Sequence, residues 1–331
     1  MNETVSVVIP CHNRIGHVQE CLASVVAQTY RPIQVIIVDD ASTEPVLPAA
    51  EELLTARAGI TFDLLTTPAN FGPGTARELG RKQATGGYVC YLDSDDLWHP
   101  NKLATQVERL RASGSEMCYT AVRVFCHSPD EGTSSIRPRS DETFDSILPA
   151  LLYGRPWATG AVMWTSAAVA RIGPWLPEWW WEDYAYDCRA ACVGVTIAHC
   201  PEALTFQRRN PDGLHLSDRP SPRLVGSRAR CIIATHHELA QAGRLSDAKI
   251  RRRIGGLALR VAYDCDDTGN ASERSSLLRA LSAKPYRTPT RLLAQTILLA
   301  KRLLPPSLFR RTRERAVGLF TRFESSTDTP T

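Results

Sequence analysis

The stretch YVCYLDSDD, residues Tyr88–Asp96, joins the pattern of a buried strand to a cluster of acidic side chains. Its first half, Tyr88–Leu92, is an uninterrupted apolar run after a pair of glycines, which predicts a strand covered on both faces. The same pattern occurs earlier, where the apolar run Val35–Val38 leads directly into Asp39 and Asp40. Two strands of this kind, each ending in acidic residues, indicate a sheet with a polar site at one edge.

Strand and helix patterns alternate through the first hundred residues. This alternation, with apolar strands, predicts an α/β fold in which helices cover both faces of a mostly parallel, Rossmann-like sheet. Between about 115 and 206 the pattern loosens, and from Pro222 onward it is almost entirely helical. The expected strands are 5–9, 35–38, 60–65, 88–92, 118–125 and 161–164, and the expected helices are 15–28, 48–57, 73–84 and 182–192.

Composition excludes several classes of protein. The 331 residues are 43% hydrophobic and 22% charged, which is ordinary globular usage and argues against disorder, collagen and coiled coil. The ten cysteines form no CxxC pair and no zinc-finger spacing, and no secretory signal is recognisable, so we expect reduced, mostly buried thiols in a cytoplasmic protein. No apolar run reaches the roughly 20 residues of a membrane span.

The acidic residues after the strands suggest a cation site. In an open parallel sheet, ligands bind beyond the carboxyl ends of the strands, where Asp39 and the Asp93-Ser94-Asp95 triplet would lie. Two carboxylates separated by one residue can both reach Mg²⁺ or Mn²⁺, which leaves coordination positions for phosphates. Alternatively, such residues are solvated turn formers, because Asp and Ser are good turn residues.

The wider set of segments distinguishes these alternatives. Its members, in chain order, are Val5–Arg14, Val25–Tyr30, Ile37–Thr43, Asn70–Arg77, Ala84–Tyr88 and Leu92–Asp96. The ordered set is more specific than any one of its segments. In order and spacing it resembles the family 2 glycosyltransferases, which have a GT-A fold, and the resemblance covers roughly residues 4–217.

The resemblance implies a nucleotide-binding group. Pro10, His12 and Arg14 match the family's loop after the first strand, with His12 where an aromatic Tyr usually stacks on the base. Asp39 matches the carboxylate that accepts a hydrogen bond from the base, as from the imide N–H of uracil. Arg77 matches an arginine of the same pocket, although the next residue is Glu where the family usually has Asn.

The resemblance also implies a metal site. Asp93 and Asp95 match the family's DxD motif, with Asp95 the direct ligand of Mg²⁺ or Mn²⁺ and Asp93 nearer the ribose. Ser94 between them joins the nucleotide-binding group. A later segment, in which the family often has Arg and His near the phosphates, predicts His215 as a third ligand or a phosphate contact.

A second acidic group follows an aromatic run. Glu182 and Asp183 match the family's acidic "ED" motif, which implies that Asp183 takes the proton from the acceptor hydroxyl and that Glu182 orients this base or binds the acceptor. The bare pattern also fits acidic partners of a helix dipole. Six of the seven tryptophans lie between residues 157 and 181. We expect half of these six in the core, and Trp180 and Trp181 at a site that stacks on the acceptor sugar.

These residues predict an inverting, metal-dependent transferase that moves one sugar from a nucleotide sugar, UDP-linked, to a hydroxyl of a glycan, glycolipid or small molecule. Processive synthases of the family carry QxxRW and membrane spans, which this sequence lacks. A dinucleotide oxidoreductase is disfavoured because no GxGxxG follows the first strand, and no P-loop motif is present. A non-catalytic nucleotide-sugar-binding partner protein of the same fold stays open.

The chain is expected to divide into a catalytic domain, 1–220, and a helical extension, 221–331. Within the first, residues 1–112 would bind the nucleotide and 113–220 the acceptor.

The net charge of +4 is unevenly distributed along the chain. Residues 301–322 contain seven basic side chains and a single Glu, so this segment carries +6 and the rest of the chain −2. The amphipathic, basic segment 291–322 predicts either peripheral contact with the inner face of an anionic membrane or packing on the domain. No nucleic-acid motif accompanies it, so nucleic acid is not an expected partner.

Overall fold

The computed structural model describes residues 3–55, 57–129, 134–152, 154–209, 221–286, 288–303 and 319–320. The four expected strands of the first hundred residues form one parallel block in the order β3-β2-β1-β4. They are β1 (Val5–Cys11), β2 (Ile33–Asp39), β3 (Ile60–Thr66) and β4 (Tyr88–Tyr91). Every residue of β1, β2 and β4 is buried, as their continuous apolar runs predict.

The sheet continues beyond β4 with mixed strand directions. Antiparallel β8 follows β4, then β6, then β9 parallel to β6, and finally antiparallel β5 at the edge, while β7 pairs with β6. The strands are β5 (Leu97–Trp98), β6 (Met117–Phe125), β7 (Ser135–Ile136), β8 (Val162–Thr165) and β9 (Ile197–Arg208). The predicted α/β class, with a mostly parallel first half, is confirmed.

Six helices accompany this sheet in the described residues. They are α1 (Ile15–Val26), α2 (Leu47–Leu54), α3 (Pro73–Gln83), α4 (Lys102–Ser113), α5 (Ile147–Leu152) and α6 (Ser166–Ile172). Helix α1 buries one apolar stripe, as its sequence period predicts. Helix α3 begins with a proline, which needs no hydrogen-bond acceptor there, and Gly80 brings it so close to Val8 of β1 that an added Cβ would collide.

The chain divides into two compact units. The first comprises Met1–Glu178 and Val193–Asp218, and the second comprises Trp179–Cys192 and Arg219–Thr331. The described helices of the second unit are α7 (Glu182–Cys192), α8 (Pro222–Gln241), α9 (Ala248–Asp267), α10 (Ala271–Leu281) and α11 (Thr288–Leu303). Helix α7 therefore clusters with the C-terminal helices, and the assignment of nucleotide and acceptor halves stays a prediction.

Side-chain caps and a buried aromatic organise the second unit. The side chains of Ser221 and Asp247 cap the N-termini of α8 and α9. Phe320 is 1% exposed, its ring centroid lies 6.0 Å from that of Tyr286, and an added Cβ at Gly255 would strike it. Phe320, an aromatic residue of the basic segment 291–322, is therefore packed inside the second unit.

Two further expectations concern membranes and thiols. None of the helices in the described ranges is long and apolar enough to cross a membrane. Helix α11 covers the start of the 291–322 segment, whereas 304–318, 321 and 322 lie outside the described residues. All ten cysteines are free and eight of them are buried, so the expectation of buried thiols is confirmed.

Candidate active site

The loop after β1 has an unusual backbone. Pro10 is buried near the end of β1, while His12 and Arg14 in the following loop are exposed. Asn13 and Arg14 both have positive φ, at 59° and 57°, which non-glycine residues rarely adopt. This left-handed step turns the chain abruptly into α1, and it brings the Arg14 guanidinium to 3.5 Å from an Asp95 carboxylate oxygen.

The two aspartates that end β2 have different roles. Asp40 is buried and accepts hydrogen bonds from the backbone N–H groups of Phe71 and Gly72 and from the hydroxyl of Thr67, so both of its oxygens hold the loop before α3. Among the described residues, Asp39 accepts only at Oδ1, from the Ser42 N–H at 2.9 Å. The base-binding role that the resemblance implies for Asp39 stays a prediction.

Arg77 joins α3 to the end of β4. It is 4% exposed, and its Nη2 lies 2.6 Å from Asp93 Oδ1. The guanidinium also lies over the ring of Trp175, at 5.1 Å from the centroid. Two predicted nucleotide-binding residues therefore form a charge-assisted hydrogen bond, which orients the first carboxylate of the DxD motif.

The turn after β4 brings its three aspartates together. It contains Ser94 and is closed by the bond from Asp96 N to the Asp93 carbonyl, at 3.0 Å. Asp93 and Asp95 are half-buried, whereas Asp96 is 3% exposed and accepts from Arg208 N at 2.9 Å. Burial raises the pKa of Asp96 well above its ordinary value, and the neighbouring carboxylates add to the shift.

Arg208, at the end of β9, was not among the predicted site residues. Its Nε donates to the carbonyl of Asp95 at 3.0 Å, and its Nη2 pairs with Glu20 of α1. Only 6% of its side chain is exposed. Arg208 therefore holds the turn of the DxD motif from a strand more than a hundred residues away in sequence.

The donor set fits a divalent cation. Asp93 and Asp95 supply hard carboxylate oxygens on one turn, and Mg²⁺ in proteins often uses one or two carboxylates together with substrate phosphates and water. Over the described ranges, no group of three or more His, Cys, Asp or Glu is arranged to hold a metal ion. The third predicted ligand, His215, lies outside the described residues.

Glu78, which stands where the family usually has Asn, forms hydrogen bonds that connect two segments of the chain. Its carboxylate pairs with Arg81 at 2.7 and 2.9 Å and accepts from the Trp175 N–H at 3.0 Å. Burial works in the opposite direction, but these hydrogen bonds leave the pKa of Glu78 below its ordinary value. Glu78 therefore fastens α3 to the segment that carries Trp175.

The acidic pair of the second unit begins α7. Glu182 is 5% exposed, while Asp183 is half-buried and accepts from the N–H of Tyr184 at 2.7 Å. Trp181, directly before the pair, has a φ of 71°, which is an outlier for a bulky side chain. Strained backbone of this kind clusters at functional sites, and it sets the direction in which the helix starts.

The tryptophans divide as expected. Trp157, Trp164 and Trp175 are at most 4% exposed, whereas Trp179, Trp180 and Trp181 are half-buried. Ser227 of α8 fixes the half-buried run, because its Oγ accepts from the N–H groups of residues 179 and 180 at 2.8 and 2.9 Å. Guanidinium groups lie over these rings: Arg223 at 3.6 Å from the Trp179 centroid and Arg228 at 4.5 Å from that of Trp181.

The first unit thus brings most of the predicted donor-site residues to one edge of the sheet. The loops after β1 and β4 carry His12, Arg14, Asp93 and Asp95, and Asp39 ends β2. Direct contacts link Arg77 to Asp93 and Arg14 to Asp95. Glu182, Asp183, Trp180 and Trp181 lie together in the second unit. Ligands of open α/β sheets bind beyond the carboxyl ends of the strands, which is where these carboxylates lie.

Solved structures support this class. A fragment of TarS from S. aureus, residues 1–349 in complex with UDP, matches with a TM-score of 0.64 at 17% identity over 98% of this chain and 90% of that chain. The mannosyltransferase PcManGT from Pyrobaculum calidifontis, in complex with GDP-Man and Mn²⁺, matches with a TM-score of 0.54 at 17% identity over 98% and 89%. At these identities the likeness shows the fold.

Sequence relatives identify the family. The model of "Glycosyl transferase family 2" matches residues 6–168. A glycosyltransferase from Haemophilus influenzae is 31% identical over 206 residues, which are 62% of this chain and 78% of that relative. The chain belongs to glycosyl transferase family 2. It spans only 23% to 26% of the length of three similar glycosyltransferases from Rickettsia species.

Proposed function

We propose that the chain transfers a single sugar from a nucleotide sugar, UDP-linked, to a hydroxyl acceptor, with inversion at the anomeric carbon. The observation that carries this proposal is the Arg77–Asp93 pair beside the Asp95–Arg14 pair at the carboxyl end of β4. Carboxylates held in place by arginines suit a diphosphate and its cation, because the cation needs oxygen ligands and the phosphates need cationic partners.

The donor would lie along the loops after β1, β2 and β4. Asp39 would accept a hydrogen bond from the base, and Pro10, His12 and Ser94 would line the nucleotide. Asp93 and Asp95, with His215 as the proposed third ligand, would hold Mg²⁺ or Mn²⁺. When bound, the cation supplies positive charge that stabilises the departing diphosphate. The Mn²⁺ and GDP-Man in PcManGT and the UDP in TarS support a metal and a nucleotide sugar.

The acceptor would be activated by the acidic pair of α7. Asp183 would take the proton from the acceptor hydroxyl while that oxygen bonds to the anomeric carbon and the bond to the diphosphate oxygen breaks. Glu182 would orient the base, and Trp180 and Trp181 would stack on the acceptor. The acceptor class stays as the sequence predicted it: a glycan, a glycolipid or a small molecule.

The test measures binding and turnover separately. The full chain would be assayed with UDP-, GDP- and dTDP-sugars and Mn²⁺ for slow release of nucleotide without acceptor, and by calorimetry for nucleotide binding. Asp183→Asn should lower turnover at least 100-fold, since general bases contribute about 10²–10⁴-fold, while UDP and Mn²⁺ binding persist. Asp145→Asn, which changes an exposed aspartate outside the proposed site, is the matched control.

Two outcomes would count against the proposal. Undiminished turnover in Asp183→Asn would rule out Asp183 as the base. Binding of UDP without release of nucleotide from any donor would favour the alternative, a non-catalytic nucleotide-sugar-binding protein of the same fold. Tighter binding of GDP than of UDP would change the donor while leaving the transferase in place.

A further inference from the structure

Asn13 links the two loops to which the proposed function assigns the base of the nucleotide. Its backbone N–H donates to Ser42 Oγ at 2.7 Å. Its side-chain oxygen accepts from both the backbone N–H and the hydroxyl of Thr43, at 2.8 and 2.9 Å. Three hydrogen bonds from one residue therefore fasten the loop after β1 to the loop after β2.

These bonds fix the orientation of the Asn13 amide. The backbone N–H of Thr43 can only donate, so the Asn13 atom that it contacts must be the oxygen. The opposite atom is then the NH₂ group, which lies 3.0 Å from Nε2 of His12. Because an amide NH₂ can only donate, Nε2 of His12 must accept and carries no proton.

The other nitrogen of the ring is equally constrained. His12 Nδ1 lies 2.8 Å from the backbone carbonyl of Asp40, which can only accept. Nδ1 therefore carries the proton, and the imidazole is neutral in the Nδ1–H form. Both ring nitrogens are satisfied within the chain, so the exposed ring has only its face and its C–H edge to offer a ligand.

The same bonds reach Asp39 through one intermediate residue. Ser42 accepts from Asn13 N at its hydroxyl and donates its own N–H to Asp39 Oδ1. Asn13 adopts its left-handed φ of 59° at low cost, because Asn is one of the few residues that tolerate this region. One residue thus sets the tautomer of His12, the position of the turn that holds Asp39, and the direction of the chain toward Arg14.

We propose that Asn13 is the positioning residue of the nucleotide site: it holds His12 as a neutral ring that meets the base by its face and leaves hydrogen-bond recognition of the base to Asp39. This inference rests on the proposed function for the identity of the ligand. The tautomer and the link between the loops rest on the hydrogen bonds alone.

The first measurement needs no variant. The ¹⁵N chemical shifts of the His12 ring in the full, labelled chain should show a protonated Nδ1 and an unprotonated Nε2. Asn13→Asp keeps the acceptor for Thr43 but replaces the NH₂ donor with an oxygen, so both ring nitrogens then face acceptors and Nε2 should become protonated as well as Nδ1. Asn13→Gly keeps the left-handed backbone without strain and removes the side chain, so it should give a mixture of tautomers.

The second measurement is the affinity for UDP with Mn²⁺ by calorimetry. Both Asn13 variants should bind about tenfold more weakly, the equivalent of about one lost hydrogen bond in positioning. Asn101→Gly, which removes an asparagine bonded to Thr29 instead, is the matched control. His12→Phe, which keeps an aromatic face, should lose less affinity than His12→Gln, which keeps only polar groups, by at least threefold.

The outcomes separate this inference from the proposed function. A native His12 ring with the proton on Nε2, or with averaged shifts, overturns the tautomer assignment whatever the chain binds. A smaller loss for His12→Gln than for His12→Phe overturns the role of the ring face. If the native chain binds no nucleotide while the ring shifts match the Nδ1–H form, the proposed function fails and the assigned tautomer stands.

Discussion

Ser227 offers a direct test of how the second unit holds its tryptophan run. The side chain is fully buried, and its Oγ accepts from the backbone N–H groups of Trp179 and Trp180 at 2.8 and 2.9 Å. The hydroxyl also lies 3.3 Å from the carbonyl of Trp180. Ser227→Ala removes this acceptor from two backbone donors at once and leaves the fold of α8 otherwise unchanged.

The expected cost follows from these contacts. A hydrogen bond contributes about 0.5–1.5 kcal/mol net, and a buried donor left without its partner costs about 1–3 kcal/mol. Because both tryptophans are only half-buried, part of that penalty is relieved by water, and we expect a total loss of about 2 kcal/mol. The loss should be accompanied by lower turnover with little change in UDP binding, since the run leads directly into Glu182 and Asp183.

The assay is urea denaturation followed by circular dichroism and tryptophan fluorescence. Ser275→Ala is the control, because the Ser275 hydroxyl bonds only to the Ala271 carbonyl of its own helix, and its loss should stay within about 0.5 kcal/mol. An equal effect in the two variants would refute the reasoning. So would a loss below about 0.5 kcal/mol in Ser227→Ala, because it would mean that the two N–H groups find other partners at no cost.

Three further predictions use other parts of the chain. Arg77→Lys should weaken Mn²⁺-dependent UDP binding about tenfold in calorimetry, because lysine cannot both pair with Asp93 and stack on a ring, and an unchanged affinity would contradict this. Gly74→Ala should lower the free energy of unfolding by about 2 kcal/mol, because the new Cβ would lie 2.7 Å from the Glu178 carbonyl oxygen. Gly16→Ala, where α1 has open space, should raise the free energy of unfolding by about 0.5–1 kcal/mol. Denaturation curves in which both variants change stability in the same direction would refute the comparison. Burial holds the pKa of His199 below its ordinary 6.5, so the unfolded chain takes up protons first and stability should fall as pH drops below about 6.5. His199→Gln should flatten that part of a plot of melting temperature against pH, and an unchanged slope would count against it.

The strands and helices with strong periodicity were predictable. The apolar runs that became β1, β2 and β4 and the helix at Glu182–Cys192 were found within a few residues of their bounds. Strand β9 was missed, because Ile197–Arg208 mixes polar and apolar residues and contains a proline. Its register with β6 is irregular, and pairing with that buried strand overrides its weak local preference. Helix α4 was also missed, although it ends at Gly114 as helices commonly do.

The candidate site shows a similar division. Asp39, Asp93 and Asp95 were identifiable because short apolar strands deliver them to one edge of a parallel sheet. Arg208 was not identifiable as a partner of the Asp95 turn, because the sequence does not show which strand lies beside β4's turn. The buried state of Asp96 was equally hidden, because Asp93 and Asp95 of the same acidic turn have the same side chain and are only half-buried.

By itself, the sequence determined the class of fold, the acidic residues at the strand ends and the family, because periodicity and motif spacing are properties of neighbouring residues. Only the tertiary structure decided what each polar group does. Asp39 and Asp40 are adjacent and chemically identical, yet both oxygens of Asp40 accept hydrogen bonds from the loop before α3, while Asp39 accepts at Oδ1 from the nearby Ser42 N–H. Such differences arise from hydrogen-bond partners about 30 residues away in sequence, which only folding brings within about 3 Å.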